Sequence, residues 1–364
     1  MTPLIPRMHL FEIDDQPWQV NNPASPTWSI PINSTRFPSF LRARVQAALT
    51  AAWTTHVPVL QSSSPAQLAA RILSTNLGAS IRDYVFIDFC AGAGGPTPYI
   101  EKHLNQTISN GASTPTAPST GTSYAAVAAV APKQPVRFVL TDLHPHVADW
   151  RRAAAASPNI SFVPEPVDAA HAPTNLLERY KKAETGAEGA KKVFRLFNLA
   201  FHHFDDPLAK AILKNTVETS DGFGIFELQD RSFLGGFVTL LLFGIGIVLT
   251  APYYAVKWRS PATLLFTYLI PVLPLVLVFD GWVSALRTRT ADEVEALLRT
   301  CGAEGGEEEI ARWEVRSGKT GFMWPVGKLN WIVCVRKGGG GDAWIGDGQV
   351  KGGCWLGDGV HTTE

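Results

Sequence analysis

Residues Tyr84-Val-Phe-Ile-Asp88 form a short apolar run that ends in a carboxylate, and Gly92, Gly94 and Gly95 follow within seven residues. An apolar run of this length bounded by glycines reads as a buried strand entering a tight turn. Thr97 then supplies a cap and Pro98 suits the first turn of a helix. Strand, glycine turn and helix together constrain the whole chain. A strand buried on both faces needs helices above and below it and parallel neighbours.

The rest of the sequence supplies those neighbours. Val136–Asp142 is a second apolar run ending in a carboxylate, Ile160–Val163 a third, Lys192–Asn198 a fourth and Gly224–Leu228 a fifth. Helical patterns fall at 174–186 and 207–219 between them. The alternation predicts an α/β fold with a largely parallel sheet and helices on both faces. Trp313–Val315 and Leu329–Arg336 read as two further strands closing the sheet, after a helix over Ala291–Thr300.

Before this core, residues 1–36 are rich in Pro, Asn and Trp and read as an irregular arm. Helices are expected over 38–54 and from Ser64-Pro65 onward, so that 1–80 forms an N-terminal arm with flanking helices. Met1–Val20 carries prolines, Glu12, Asp14 and Asp15 where a signal peptide needs an apolar stretch, so none is read there. The core is assigned to 81–231. It is interrupted at 105–134 by a Ser/Thr/Ala/Pro-rich insertion read as disordered. Residues 338–364 are Gly-rich and patternless and read as a disordered tail.

Residues 232–256 and 260–279 contain no charged side chain, and Lys257-Trp258-Arg259 separates them. Each run is long enough to cross the apolar core of a bilayer as a helix. Two crossings return the chain to the same side, so one domain can be completed from 81–231 and 280–337. Tyr253, Tyr254 and Trp258 sit at the turn, where interfacial aromatics are favoured. Pro271 and Pro274 kink the second arm, and Lys257 and Arg259 on the turn oppose the positive-inside tendency. A re-entrant or in-plane hairpin therefore stands beside a spanning one, and a soluble cap or dimer interface beside both.

Composition excludes other classes. The 32 Lys and Arg balance 32 Asp and Glu, which leaves no basic excess for a nucleic-acid partner. Cys90, Cys301, Cys334 and Cys354 lack metal-ligand spacing, so no metal site or disulfide framework is read. They read as reduced thiols of a cytosol-facing protein. The sequons at Asn33, Asn105 and Asn159 carry little weight.

The turn Asp88-Phe-Cys-Ala-Gly92-Ala-Gly94-Gly95 does not complete G-x-G-x-x-G, because Thr97 holds the third glycine position, and no Lys follows for a phosphate loop. It resembles motif I of class I S-adenosylmethionine-dependent methyltransferases, D/E-x-G-x-G-x-G, with Cys90 at the first glycine position. That resemblance covers 81–230 and, more weakly, 280–336. It implies a Rossmann-like seven-stranded sheet with the hydrophobic helical hairpin inserted, and S-adenosylmethionine as cofactor. The implied cofactor-binding residues are Asp88, Cys90, Gly92, Gly94, Gly95 and Asn198. Asp142 would hold the ribose hydroxyls and Asp168 the adenine amino group, since carboxylates accept from such donors. Singly, each acid also suits a turn, cap or helix-dipole position.

Asn198-Leu-Ala-Phe-His-His-Phe-Asp-Asp-Pro207 lies where that family places its substrate-facing loop, and resembles the segment in small-molecule and quinone-type members. Leu199 and Ala200 replace the prolines of amino methyltransferases, which makes an exocyclic-amine acceptor doubtful. His202 and His203 are the candidate general bases; the alternative is that one caps or packs at the strand end. Asp205 and Asp206 read as helix N-terminal residues. The expectation is a membrane-associated methyltransferase acting on a small apolar or lipid-like acceptor. Membrane lipid would be its partner through 232–279, and its catalytic domain would face the cytosol. The alternatives are an inactive methyltransferase-like membrane scaffold or assembly factor and, third, a soluble RNA methyltransferase.

Overall fold

The computed structural model describes residues 39–111, 134–182, 191–323 and 327–337. The predicted arm over 1–36 and the tail over 338–364 lie outside them. Seven strands form one sheet in the order β3-β2-β1-β4-β5-β7-β6. They are β1 (Tyr84–Phe89), β2 (Phe138–Thr141), β3 (Ile160–Phe162), β4 (Lys192–Asn198), β5 (Gly222–Glu227), β6 (Trp313–Met323) and β7 (Gly327–Arg336). The first five are parallel. β7 runs antiparallel to both β5 and β6.

Alternate residues of the central strands serve opposite faces, and both faces are buried. Phe86, Phe138, Leu140 and Phe194 meet α2 (Pro65–Leu77), α3 (Thr97–Gly111) and α4 (Val147–Ala156) through Leu73, Ile100, Leu104 and Trp150. Phe86 and Phe138 stack at 4.9 Å between ring centroids. On the other face Val85, Ile87, Val193 and Phe223 meet α5 (Thr174–Lys182), α6 (Asp206–Thr219) and the later helix Ala291–Arg299. The continuous apolar runs of the central strands follow from this double coverage. The fold is therefore the expected Rossmann-like seven-stranded α/β sheet with an inserted hydrophobic hairpin.

Two boundaries differ from the sequence reading. α3 continues through Gly111, so the first residues of the proposed insertion 105–134 are helical. Asn105 fixes that helix to the start of β2: its Nδ2 donates to the Val136 carbonyl and its Oδ1 accepts from the Val136 amide. Only 112–133 lies outside the described residues there. α2 is a flanking helix that covers one face of the sheet, with eight of its thirteen residues buried. The hydrophobic hairpin extends past 279 to Arg287, because the apolar pattern merges into a polar face of the same helix.

The hairpin consists of α7 (Phe233–Lys257), α8 (Pro261–Leu269) and α9 (Val272–Arg287). α7 is long and apolar enough to cross a membrane, and α8 and α9 meet at a 74° bend. Pro271 at that break has no amide hydrogen to continue the helix. Leu249, Val256 and Leu269 are 73, 79 and 77% exposed, so much of the unit's apolar surface meets no protein. Its inner side is covered by α1 (Ser39–Thr54), whose Val45 and Ala48 pack against Leu273, Val276 and Leu277. The tip returns to the same helix region: the Arg44 guanidinium lies 5.6 Å from the Trp258 ring centroid, and the Thr55 and Tyr254 hydroxyls are 3.3 Å apart. α8–α9 is followed by α10 (Ala291–Arg299), which Thr290 and Glu293 start with a reciprocal capping box.

Candidate active site

β1 delivers Asp88 into the interior, where it is 1% exposed. The Thr97 hydroxyl, at the start of α3, donates to Asp88 Oδ2. Asn198 Nδ2, at the end of β4, reaches the same oxygen at 3.4 Å and the Thr97 hydroxyl at 3.1 Å. Thr97 thus ties the turn to β1 and β4 rather than capping its own helix. Burial pushes the Asp88 carboxyl up to about 7, against the opposing pull of Thr97 and Asn198 and with a smaller upward push from Asp142. Asp88 Oδ1 and Asn198 Oδ1 are buried and accept no hydrogen bond. Such orphaned acceptors carry a desolvation penalty that a bound donor would relieve.

Between these anchors the turn adopts left-handed backbone at Cys90 (φ 66°), Gly92 (51°), Gly94 (101°) and Gly95 (46°). Cys90 holds a conformation that favours glycine, and a side chain there stores strain. A Cβ on Gly92 would meet nothing within 4 Å, so its missing side chain leaves open space in the cleft. Gly92 is clamped from two sides: its N–H donates to Asp142 Oδ2 at 2.8 Å and its carbonyl accepts from Trp150 Nε1 at 2.8 Å. Asp142 Oδ1 accepts from the His144 N–H at 2.8 Å. Burial raises the Asp142 carboxyl, and these two backbone donors pull it back down. Each of its oxygens keeps a second lone pair for a hydroxyl donor.

Asp168 is not brought to the cleft. Its Oδ1 accepts from the Ala170 N–H and its Oδ2 faces His171 Nδ1, both at 2.8 Å, in a half-exposed local turn. This is the local turn that an acid in that position also suits.

The opposite wall is the segment after β4. Leu199 takes φ 55°, reversing the chain at the strand end, and Phe201–His203 forms one tight helical turn. Phe197, Phe201 and Phe204 meet edge to face beneath it. Asp205 caps α6, accepting from the Leu208 N–H at 3.0 Å, as expected. His202 is 3% exposed and sits against Glu227, which is 4% exposed at the end of β5. Nδ1 of His202 lies 2.9 Å from Glu227 Oε2, and the His202 amide donates to Oε1 at 3.3 Å. A carboxylate only accepts, so Nδ1 carries the hydrogen and Nε2 is left as the basic nitrogen. Glu227 had no signal in the sequence beyond being an acid at a strand end, in Gly-Ile-Phe-Glu-Leu. The ring of His203 lies tilted beside that of His202, 4.2 Å between centroids.

Two arginines, Arg287 at the end of the hairpin and Arg289 just after it, hold this turn in place. Arg287 donates to the carbonyls of His202 and His203 at 2.8 and 3.1 Å. Arg289 donates to the carbonyls of Phe201 and Phe204 and to Asp206. One cleft joins all the walls: Cys90, Gly92 and Gly95 from the glycine turn, Asn198, His202 and His203 from β4 and its turn, Trp53 from α1, and Phe243, Leu277 and Asp280 from the hairpin. Asp88, Gly94, Asp142 and Glu227 stand behind those lining residues.

No protein-family model matches the chain, and no curated protein matches it in sequence. Solved structures resemble it. One is human N-acetylserotonin methyltransferase in complex with S-adenosylmethionine, at 11% identity and TM-score 0.33 over 75% of this chain and 56% of that one. Another is the mitomycin 7-O-methyltransferase MmcR, at 13% identity and TM-score 0.35 over 75% of this chain and 55% of that one. A third is the N-methyltransferase NodS from Bradyrhizobium japonicum, at 10% identity and TM-score 0.33 over 74% and 94%. The chain thus spans little more than half the length of the first two.

Proposed function

We propose that the protein is an S-adenosylmethionine-dependent methyltransferase. In this reading it is held at a membrane, catalytic domain toward the cytosol, by its hydrophobic hairpin, and it methylates a hydroxyl of a small apolar or lipid-like acceptor. The observation that carries this reading is the cleft shared by the glycine turn, His202 (backed by Glu227) and the apolar hairpin.

The residues present suit the cofactor. Asn198 Oδ1 and Asp88 Oδ1 are buried acceptors without donors, matched to an ammonium group. Gly92 leaves open space for a ligand to approach the backbone, and Asp142 retains lone pairs for ribose hydroxyls. When bound, the cofactor supplies an electrophilic methyl group on a sulfonium. Glu227 keeps His202 in the tautomer whose Nε2 accepts a proton, and His202 removes the proton from the acceptor hydroxyl as it becomes a nucleophile. Arg287 and Arg289 hold the turn so that the imidazole keeps one orientation in the cleft. His203 lies beside His202 and completes the wall.

The hairpin favours in-plane insertion. Its tip contacts Arg44 of α1 and Thr55 just after it, α9 packs on α1, and the outer residues of α7 and α8 remain apolar and exposed. Lying in the interface buries that outer surface in lipid and leaves the Lys257–Arg259 turn among headgroups, without placing cations across the bilayer. The competing reading is a methyltransferase-like scaffold. Cys90 in a glycine conformation and Asp168 spent in its own turn favour it.

The test is methyl transfer from methyl-tritiated cofactor to a detergent extract of cell membranes. The proposal expects label to enter the organic phase with the wild-type protein and not with His202→Ala. Equal labelling by both proteins would overturn the assignment of the base, and no labelling by either would favour the scaffold.

A further inference from the structure

α9 carries a polar stripe on an otherwise apolar helix. Asp280, Ser284 and Arg287 recur at helical spacing on the side that meets the His202 turn. Arg287 is used on the His202 and His203 carbonyls. Asp280 and Ser284 instead line the cleft, opposite the glycine turn. No hydrogen bond or ion pair is formed by Asp280 among the described residues, and the charge it faces is the His202 imidazole across the cleft. Asp280 is also the one acid in the hairpin from Phe233 to Arg287. A carboxylate is a costly choice on a helix this apolar unless something bound satisfies it. Its position is fixed: a Cβ on the neighbouring Gly281 would stand 2.5 Å from Thr239 Cγ2 and 3.3 Å from Phe243, so α9 crosses α7 in direct contact. Leu277, one turn earlier, and Phe243 give the same end of the cleft an apolar lining.

We propose that Asp280 is a specificity-determining residue that accepts a hydrogen bond from a second hydroxyl of the acceptor, next to the one His202 deprotonates. The acceptor class is then an apolar molecule that carries two hydroxyls close together at one end. This rests on the methyltransferase reading for which hydroxyl reacts, but the recognition itself is a binding property of the cleft. The apolar body of the acceptor lies along Phe243 and Leu277, and the diol end spans from His202 to Asp280.

The experiment is equilibrium binding of dodecylcatechol and dodecylphenol to the full chain at one fixed detergent concentration. The probes share a tail and differ by one hydroxyl, so micelle partitioning is common to both. Wild-type protein should bind the catechol about tenfold more tightly than the phenol, the scale of one hydrogen bond to a charged group. Asp280→Leu should abolish that preference and Asp280→Asn should reduce it. Both variants should bind S-adenosylhomocysteine as the wild type does, which also shows that they fold. A wild type without preference, or an Asp280→Leu variant that keeps it, overturns the proposal. Loss of S-adenosylhomocysteine binding by the wild type would instead strike the methyltransferase reading, and the Asp280-dependent preference would still decide this one.

Discussion

Glu227 Oε2 lies 2.9 Å from Nδ1 of His202, and both side chains are almost wholly buried, one at the end of β5 and the other in the turn after β4. A buried acid beside a buried imidazole fixes which nitrogen carries the proton. Glu227→Gln keeps the shape but lets the ring take the other tautomer or turn. Methyl transfer should fall by about a hundredfold or more in kcat, the scale of a lost general base. Cofactor affinity should be unchanged, because Glu227 does not line the cleft. Steady-state kinetics beside calorimetric titration with S-adenosylmethionine checks both halves.

The carboxyl of Asp88 titrates at about 7 because burial penalises its charge. An unfolded chain holds it near the ordinary value, so between about pH 4 and 7 the folded state binds the extra proton. Folding is therefore favoured at the acidic end of that window and weakens as pH rises through 7, by about 4 kcal/mol at full extent. Asp88→Asn should flatten this dependence, and the wild-type-minus-variant difference in urea denaturation across the window measures it. A bound ammonium favours the ionised form. Cofactor binding at pH 6 should thus release a proton, seen as a dependence of the calorimetric heat on buffer ionisation enthalpy.

Arg287 links the hydrophobic hairpin to the turn that carries the base. Its two bonds to backbone carbonyls are charge-assisted, and removing them leaves partly buried acceptors unpaired. Arg287→Met should lower stability by about 1–3 kcal/mol. It should also reduce kcat more than it raises KM for cofactor, which kinetics on detergent-solubilised protein resolves.

Cys90 is a side chain in a left-handed position (φ 66°). Cys90→Gly should preserve cofactor binding and change stability little, because relieved strain offsets the added freedom of the unfolded chain. Cys90→Val should be less stable than Cys90→Gly by about 1–3 kcal/mol, since β-branched residues tolerate this conformation worst. Thermal unfolding of the two variants side by side compares them.

The sheet was legible in the sequence because strands buried on both faces read as unbroken apolar runs, as at Val85–Ile87 and Phe138–Leu140. The glycine turn was equally plain, since three glycines after a strand leave few alternatives. The sequence could not show partnerships that the fold creates between distant segments. Glu227 meets His202 only through the parallel pairing of β4 with β5. Thr97 looked like a cap because its neighbours fit one, yet its hydroxyl is taken by Asp88. Asp168 matched a family position by order along the chain, but its carboxylate is satisfied locally by Ala170 and His171. Asp280 sat at the end of an apolar run and read as its boundary, and only the packing of α9 over α7 turns it into a wall of the cleft.

In the proposed function the turn from Asp88 to Gly95 binds S-adenosylmethionine. Isothermal titration of the detergent-purified protein tests it, beside Asp142→Ala, which removes the carboxylate that clamps Gly92. The wild type should bind with a dissociation constant in the micromolar range, and the variant should lose at least about tenfold. No heat of binding from a wild-type protein whose circular dichroism shows it folded would contradict it.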